Sequence, residues 1–438
     1  MSRYLRALFV SVRAALVAGG PFVLIAIALL VLAYKVLQPN PPRHVVMVTG
    51  PERSALDGFG EQYRAALAKQ GIVLELRHTG GTNENLGALR EEDGDVSFGF
   101  VQGGSTLDAE GGGDGLQSLG ALFYEPVWIF YHRQAAPSGR PLRLVDTAGW
   151  TINVGTPASG TPQLFTRLLE ANRVDPSRLT LRDLPDTEAV MGLLDARIQA
   201  VVLVSAPESS LVQMLLQTPG IALLDFPQAE AYARRFPFLS SVTLPRGIVA
   251  IDRDLPPRNQ PLVATTTSLV VREGTHPALV QLMVQAADRI HGGPGWFRRS
   301  GEFPSRREAD LPIAPEANRF YDDGAPFLQR YMPWWLANLL DRMWLALAAI
   351  VAVLLPLSRI VPPLYEYRVR ARVFKWYAQL RAIEDEVGAQ PAPADRDALL
   401  GRLDELDARV ERIAVPLSYA DELYALRGHI AMVRRRLR

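Results

Sequence analysis

The sequence predicts an α/β protein of two similar lobes set between two apolar segments and followed by a charged helical tail. Three observations carry this. Short apolar runs alternate with amphipathic ones from residue 44 onward, the alternation restarts near residue 150, and uncharged stretches at residues 14–34 and 343–358 bracket the whole. Alternation of strand-like and helix-like segments marks a mainly parallel sheet covered by helices. Its restart is met more economically by a second lobe than by one very wide sheet.

The chain has 438 residues and a mass of 48.3 kDa, enough for two or more domains. Its 47 lysines and arginines against 46 acidic residues give a net charge of +1. No global basic field is present to attract nucleic acid. The one basic aromatic stretch, "WFRRSGEFPSRRE" at 296–308, is short and interrupted by acids, and reads as a surface loop or subunit contact. Cysteine is absent, which removes disulfides, thiolate nucleophiles, cysteine metal sites and a lipoprotein anchor.

Residues 1–13 carry Arg3, Arg6 and Arg13 and read as a cytoplasmic N-terminus, and residues 14–37 as a transmembrane helix. The 21 uncharged residues 14–34 are long enough to cross a hydrocarbon core of about 30 Å. A cleaved signal peptide is the competing reading, since Pro21 interrupts the run. The long core and the lack of a small-x-small site after it favour retention. Residues 38–43, "QPNPPR", form a stiff linker because proline fixes φ.

The first lobe is expected at 44–140 and 255–310, the second at 145–250. Strands at 44–48, 72–78, 95–101 and 125–133 enclose helices at 56–70 and 84–92, with a surface excursion from Gly103 to Ser118. The second set runs through "WTINVGT", a helix after Thr161, "LTLRDL", "DTEAVMGLLDA" and "IQAVVLVS". Residues 265–273 and 276–292 return as strand and helix to the first lobe, with crossovers near 134–148 and 244–264. Residues 311–335 form a juxtamembrane segment.

A second transmembrane helix is expected at 336–360. Its 16-residue uncharged core, 343–358, is flanked by Arg342 and Arg359, which can snorkel. Trp334, Trp335 and Trp344 on one side, and Tyr365 and Tyr367 on the other, suit two interfacial belts. Arg359, Arg368, Arg370, Arg372, Lys375 and Arg381 then place residues 361–438 in the cytoplasm. Both termini are thus inside and the lobes outside. The tail reads as a helical hairpin of 366–388 and 397–435, with Leu399, Leu403, Leu406, Val410 and Ile413 as an apolar stripe.

The loop "GTPASGT" at 155–161 lacks the lysine of a phosphate-binding loop and the glycine pattern of a dinucleotide turn. Ser159 or Thr161 can cap the following helix, with Pro162 in its first turn. The remaining N–H groups can then face a carboxylate. Ordinary capping is the alternative. "HTGGTNENL" offers Thr79, Gly80, Gly81, Thr82, Asn83 and Asn85, "FGFVQGG" ends in Gln102, and "FYEPVW" adds Tyr124 and Glu125. Such groups can surround a polar ligand, or else make turns, caps and core. Asp186 and Glu188 read as acids that start a helix. The six histidines are dispersed with no HExxH, and no GxSxG occurs, so neither a metal nor a nucleophile is indicated. No cofactor is called for, and the chain is not expected to be an enzyme.

The ordered series "ELRHTGGTNENLGALREEDGDVSFGFVQ", "LGALFYEPVWIFYHR", "INVGTPASGTPQLFTRLLEA", "AVMGLLDARIQAVVLVSAPESSLVQ" and "TTTSLVVRE" resembles the TAXI family of solute receptors associated with TRAP-type transport. The resemblance covers roughly residues 44–295. It implies a type II periplasmic-binding-protein-like fold that closes over organic acids or amino acids such as glutamate. The positions it carries over are Thr79, Gly80, Gly81, Asn85, Gln102, Tyr124, Thr156, Ser159, Gly160 and Thr161. The first loop departs from the family pattern, with Glu52 and Arg53 in "VTGPERSALDGFGEQYRAAL" where a glycine-rich segment with tyrosines is expected.

The expected function is therefore a periplasmic solute receptor tethered to the inner membrane of a bacterium. It would capture a small organic anion for a separate multispanning TRAP-type transporter. The alternative is a receptor-derived signalling or scaffold protein whose cytoplasmic helices meet a protein partner.

Overall fold

The computed structural model describes residues 23–37, 40–106, 114–136, 142–307, 309–388, 393–411 and 420–437. The expected cytoplasmic stretch 1–13 and the opening of the first span lie outside them. The remainder of that span is α1 (Val23–Leu37), an apolar helix. The chain divides into two units: Asn40–Asn338, and a second made of the residues on either side.

The central unit opens with β1 (His44–Val48), α2 (Ala55–Ala68), β2 (Val73–Arg77), α3 (Thr82–Arg90), β3 (Val96–Gln102) and the long β4 (Leu116–His132). It continues through β5 (Thr151–Asn153), α4 (Thr161–Ala171), β6 (Thr180–Arg182), α5 (Asp186–Leu194), β7 (Ala200–Val204), α6 (Ser210–Gln217), β8 (Ile221–Leu223), α7 (Ala229–Arg235) and β9 (Ser240–Leu244). β10 (Gln260–Arg272), α8 (Pro277–His291) and α9 (Pro315–Asp323) complete it. Local chemistry matches these bounds. Ser54 caps α2 by accepting from Asp57 N–H, and Phe59, Tyr63 and Leu67 bury one face of that helix at four-residue spacing.

The strand order is β2-β1-β3-β10-β4-β7-β5-β6, with β8 on β4 and β9 on β10. The ladders of β1 with β2 and β3, and of β5 with β6 and β7, are parallel. Every ladder made by β4 or β10 is antiparallel, so the sheet is mixed where the sequence predicts a mainly parallel one. The reason is that β4 and β10 pass between lobes as extended strands, without the helical crossover that parallel neighbours need.

Two apolar cores define the lobes. Phe59, Tyr63, Phe98, Phe100, Leu119 and Phe123 belong to the first, and Trp128, Phe130, Phe165, Val201 and Leu203 to the second. β4 pairs with β10 through Pro126 and with β7 from Val127, so the chain changes lobe inside one strand. That passage precedes the crossover expected near 134–148. β10 changes ladder at Ala264, which pairs with both Ser240 and Pro126.

The outer unit contains α10 (Trp334–Gly388), α11 (Pro393–Glu411) and α12 (Ala420–Leu437). Within α10, Trp334–Leu357 is long and apolar enough to cross a membrane, the only such helix among the described residues. The expected hairpin is instead a three-helix cluster. Leu380 and Ile383 of α10, Leu399, Leu403, Leu406 and Val410 of α11, and Leu426, Ile430 and Val433 of α12 share one core. The predicted single helix at 397–435 becomes two because each half has its own apolar stripe to bury. Ile413 lies outside the described residues.

Candidate functional site

The two glycine loops meet where the lobes face each other. Asn83, in the first turn of α3, donates from its backbone N–H to Ala158 O at 3.0 Å. Its Nδ2 donates to Pro157 O and Ser159 O, both at 2.9 Å. The glycines permit this approach. A Cβ on Gly80 would lie 2.4 Å from Ala158 Cβ, and one on Gly81, whose φ is 133°, would lie 3.0 Å from Ser159 Cα. A Cβ on Gly160 would lie 2.4 Å from Gln102 Oε1.

The first loop is saturated from within. Gly80 N–H donates to Glu84 Oε2 at 2.6 Å and Gly81 N–H to Thr79 Oγ1 at 3.3 Å, while the Thr79 hydroxyl donates to Asn85 Oδ1 at 2.6 Å. Asn85 is fully buried and spends its Nδ2 on Thr49 O and Phe100 O, at 2.6 and 2.8 Å. It braces β1, β3 and α3 together and does not reach into an opening.

The second loop also turns inward. Ser159 donates to Thr156 O from both N–H and hydroxyl, at 3.1 and 2.8 Å. The residue before α4 is Gly160, with no side-chain cap, so neither Ser159 nor Thr161 caps the helix as the sequence suggests. Close packing on Gln102 selects glycine there, and Thr161 becomes a buried first-turn residue.

Beside this seam lies a cavity of about 300 Å³. Asn83, Leu86 and Arg90 of α3 line it at positions i, i+3 and i+7, and Gly160 just before α4, with Gln163, Leu164 and Arg167 of α4, lines it with matching periodicity. Gln102, Ser105 and Phe238 contribute the rest of the wall. The Arg167 guanidinium sits 5.1 Å from the Phe238 ring centroid. Gly104, with φ of 84°, lets that ring lie against the first lobe, and its N–H donates to Asp310 Oδ2 at 2.5 Å. Burial raises the Asp310 pKa and this bond lowers it.

Gln102 is the polar group without a protein counterpart. It is only 6% exposed, and its Nε2 has no hydrogen-bond partner. A buried amide N–H left unpaired is costly, and the Nε2 atom itself is enclosed, so it would meet the cavity only if its surroundings shifted.

Of the residues expected to bind, Thr79, Gly80, Gly81, Asn85, Gln102, Thr156, Ser159, Gly160 and Thr161 gather at the seam, and Gln102 and Gly160 also line the cavity. Tyr124 is elsewhere. Its hydroxyl donates to Glu302 Oε1 at 3.3 Å, its ring packs edge-on against Phe303, and it borders a separate depression with Ser241 and Thr243. Sequence reasoning missed Arg90 and Arg167. Their signal was the helical spacing to Asn83 and Gly160. Among the described residues, no group of three His, Asp or Glu side chains is placed to hold a metal.

A family model described as the NMT1-like family matches residues 58–323. No curated protein matches the chain. Among solved structures, the chain is similar to a protein from Bordetella bronchiseptica RB50, at 12% identity over 65% of this chain and 91% of that one, with a TM-score of 0.42. It is similar to the alkanesulfonate-binding protein SsuA from Xanthomonas axonopodis pv. citri, at 13% identity over 57% and 74%, TM-score 0.38. It is also similar to a TctC solute binding protein from Polaromonas, at 15% identity over 68% and 98%, TM-score 0.37. Because the match spans more than half of its residues, this chain belongs to the NMT1-like family.

Proposed function

We propose that this protein is a membrane-tethered receptor that takes a small organic anion, a carboxylate or amino acid, into the cavity between its lobes. It would act on the periplasmic side of a bacterial inner membrane and present the solute to a separate TRAP-type transporter. The observation that carries this reading is the lining of one cavity by Arg90 from one lobe and Arg167 from the other, beside the buried Gln102 amide. A cation on each wall suits an anion better than a neutral solute. Anchoring through Trp334–Leu357 and α1 would confine receptor and transporter to one surface.

A receptor-derived signalling or scaffold protein is the second reading. It is favoured by one observation: the loops bond each other directly through Asn83. The three-helix cluster would then receive a cytoplasmic partner.

Thermal stabilisation of the full chain by a panel of carboxylates and amino acids, followed by calorimetry, separates the two. Binding that is lost in Gln102→Leu supports the receptor, whereas a folded protein that binds none supports the scaffold. Reporters after Pro42, Arg330 and Arg381 should read outside, outside and inside. Any other pattern overturns the two-span topology.

A further inference from the structure

The place where β4 and β10 change lobes holds an acid that nothing above uses. Glu125 is 4% exposed and lies opposite Thr265 in the β4–β10 ladder, one residue before β4 leaves that ladder. Leu122 and Phe123 pack in the first core, and residues 127–130 in the second. On β10, residues 262–264 belong to the second core and Leu269 to the first. Any rotation of one lobe on the other is therefore taken up around Glu125 and Thr265.

No opposite charge compensates Glu125. β10 offers it Thr265, Thr266 and Thr267, and β3 beyond offers Gln102. Its neighbour Tyr124 bonds Glu302. From the second lobe, Glu208 lies 3.8 Å from Arg298, whose Nε donates to Gly293 O at 3.1 Å. At the end of α8, His291 is enclosed by Phe59, Tyr63 and Phe123, and burial lowers its pKa to about 3, leaving it neutral. Burial lifts the Glu125 carboxyl from 4.5 to about 7, and the Thr267 hydroxyl works against that.

We propose that hydration of the Glu125 carboxyl is coupled to separation of the lobes, so that closing the domain takes up a proton. This rests on the reading that the lobes move as those of a solute receptor. With the lobes rotated apart about these strands, water reaches the acid and stabilises its anion. With the lobes joined, the acid is dry and holds its proton. The closed form is then fully favoured below about pH 4.5, and that advantage is lost as pH rises through about 7. The closed-to-open ratio changes by at most about 300-fold across this window. A receptor of this kind would hold its solute more firmly on the acidic side.

The absence of cysteine makes the test direct. Spin labels at Gln62→Cys on α2 and Glu170→Cys on α4, both exposed, report the distance between lobes in the full chain in lipid nanodiscs. The expected result is a shift to shorter distances as pH falls from 8 to 4.5, abolished in Glu125→Gln, which stays closed throughout. An identical pH response in Glu125→Gln, or none in the parent, overturns the coupling. Should that variant fail to fold, the infrared band of a protonated carboxyl in the parent at pH 6 decides. Its presence sustains the proposal, and a fully ionised acid ends it. Glutamate, succinate and lactate are added in a second arm. Closure by any of them without a pH response removes the proton link and keeps the receptor, while no response to either removes both.

Discussion

The seam between the glycine loops and the cavity beside it are built from the same two helices, yet they handle polarity in opposite ways. At the seam, three Asn83 bonds pair the lobes, and the Gly80, Gly81 and Ser159 N–H groups find acceptors within their own loops. In the cavity, the Gln102 amide has nothing to bond. Burying a paired polar group is nearly neutral, and burying an unpaired one is expensive. The seam is thus a joint, and the cavity is where the proposed solute would have something to gain. Glycine loops at helix starts do not announce a ligand when the opposite loop has already claimed their surfaces.

This contrast can be broken or sharpened at four positions. Asn85→Ala should have the largest effect, because it strips the Thr49 and Phe100 carbonyls of their buried donor. A loss of about 3 kcal/mol in urea unfolding is expected. A cost below about 1 kcal/mol would show that the first loop is braced by something else. Gly80→Ala comes next. Its added methyl would overlap Ala158, so the closed form should weaken by about 2 kcal/mol, and the inter-lobe distance should lengthen in the spin-label measurement.

Asn83→Ala removes two of the three seam bonds at a half-exposed site, and should open the lobes by about 1 kcal/mol with little change in global stability. If the distance distribution does not move, the seam is packing alone. Gln102→Leu is the subtlest case. Removing an unsatisfied donor should leave the melting temperature unchanged or slightly higher, while carboxylate affinity falls about tenfold. A drop in stability would mean that the amide has an internal role, and the cavity would lose its best argument.

Much of the architecture was legible in the chain. Strands β1, β2, β3 and β7 and helices α2, α4, α5 and α8 coincide with their apolar segments to within a few residues, because the helices bury one stripe and β1, β3 and β7 are continuous apolar runs covered on both faces. The short β8 and β9 were not legible, since they lack a continuous apolar run and depend on β4 and β10 to pair with. The length of β4 was hidden too. Its first half, "LQSLGALFY", follows a glycine-rich stretch that reads as surface, and only pairing with β10 extends it.

For the site, the sequence supplied the residue types at the loops and the helical spacing that carries Asn83 to Arg90 and Gly160 to Arg167. It also determined on its own the alternation of the two lobes and the apolar run at Trp334–Leu357, because both are one-dimensional patterns of hydrophobicity. The tertiary structure alone decided which polar groups satisfy one another. Asn85 turned inward, Tyr124 faced another depression, and Gln102 was left with a donor unpaired. The Asn85–Phe100 bond joins residues 15 apart, Asn83–Ser159 76 apart and Tyr124–Glu302 178 apart, and no local pattern encodes such partners.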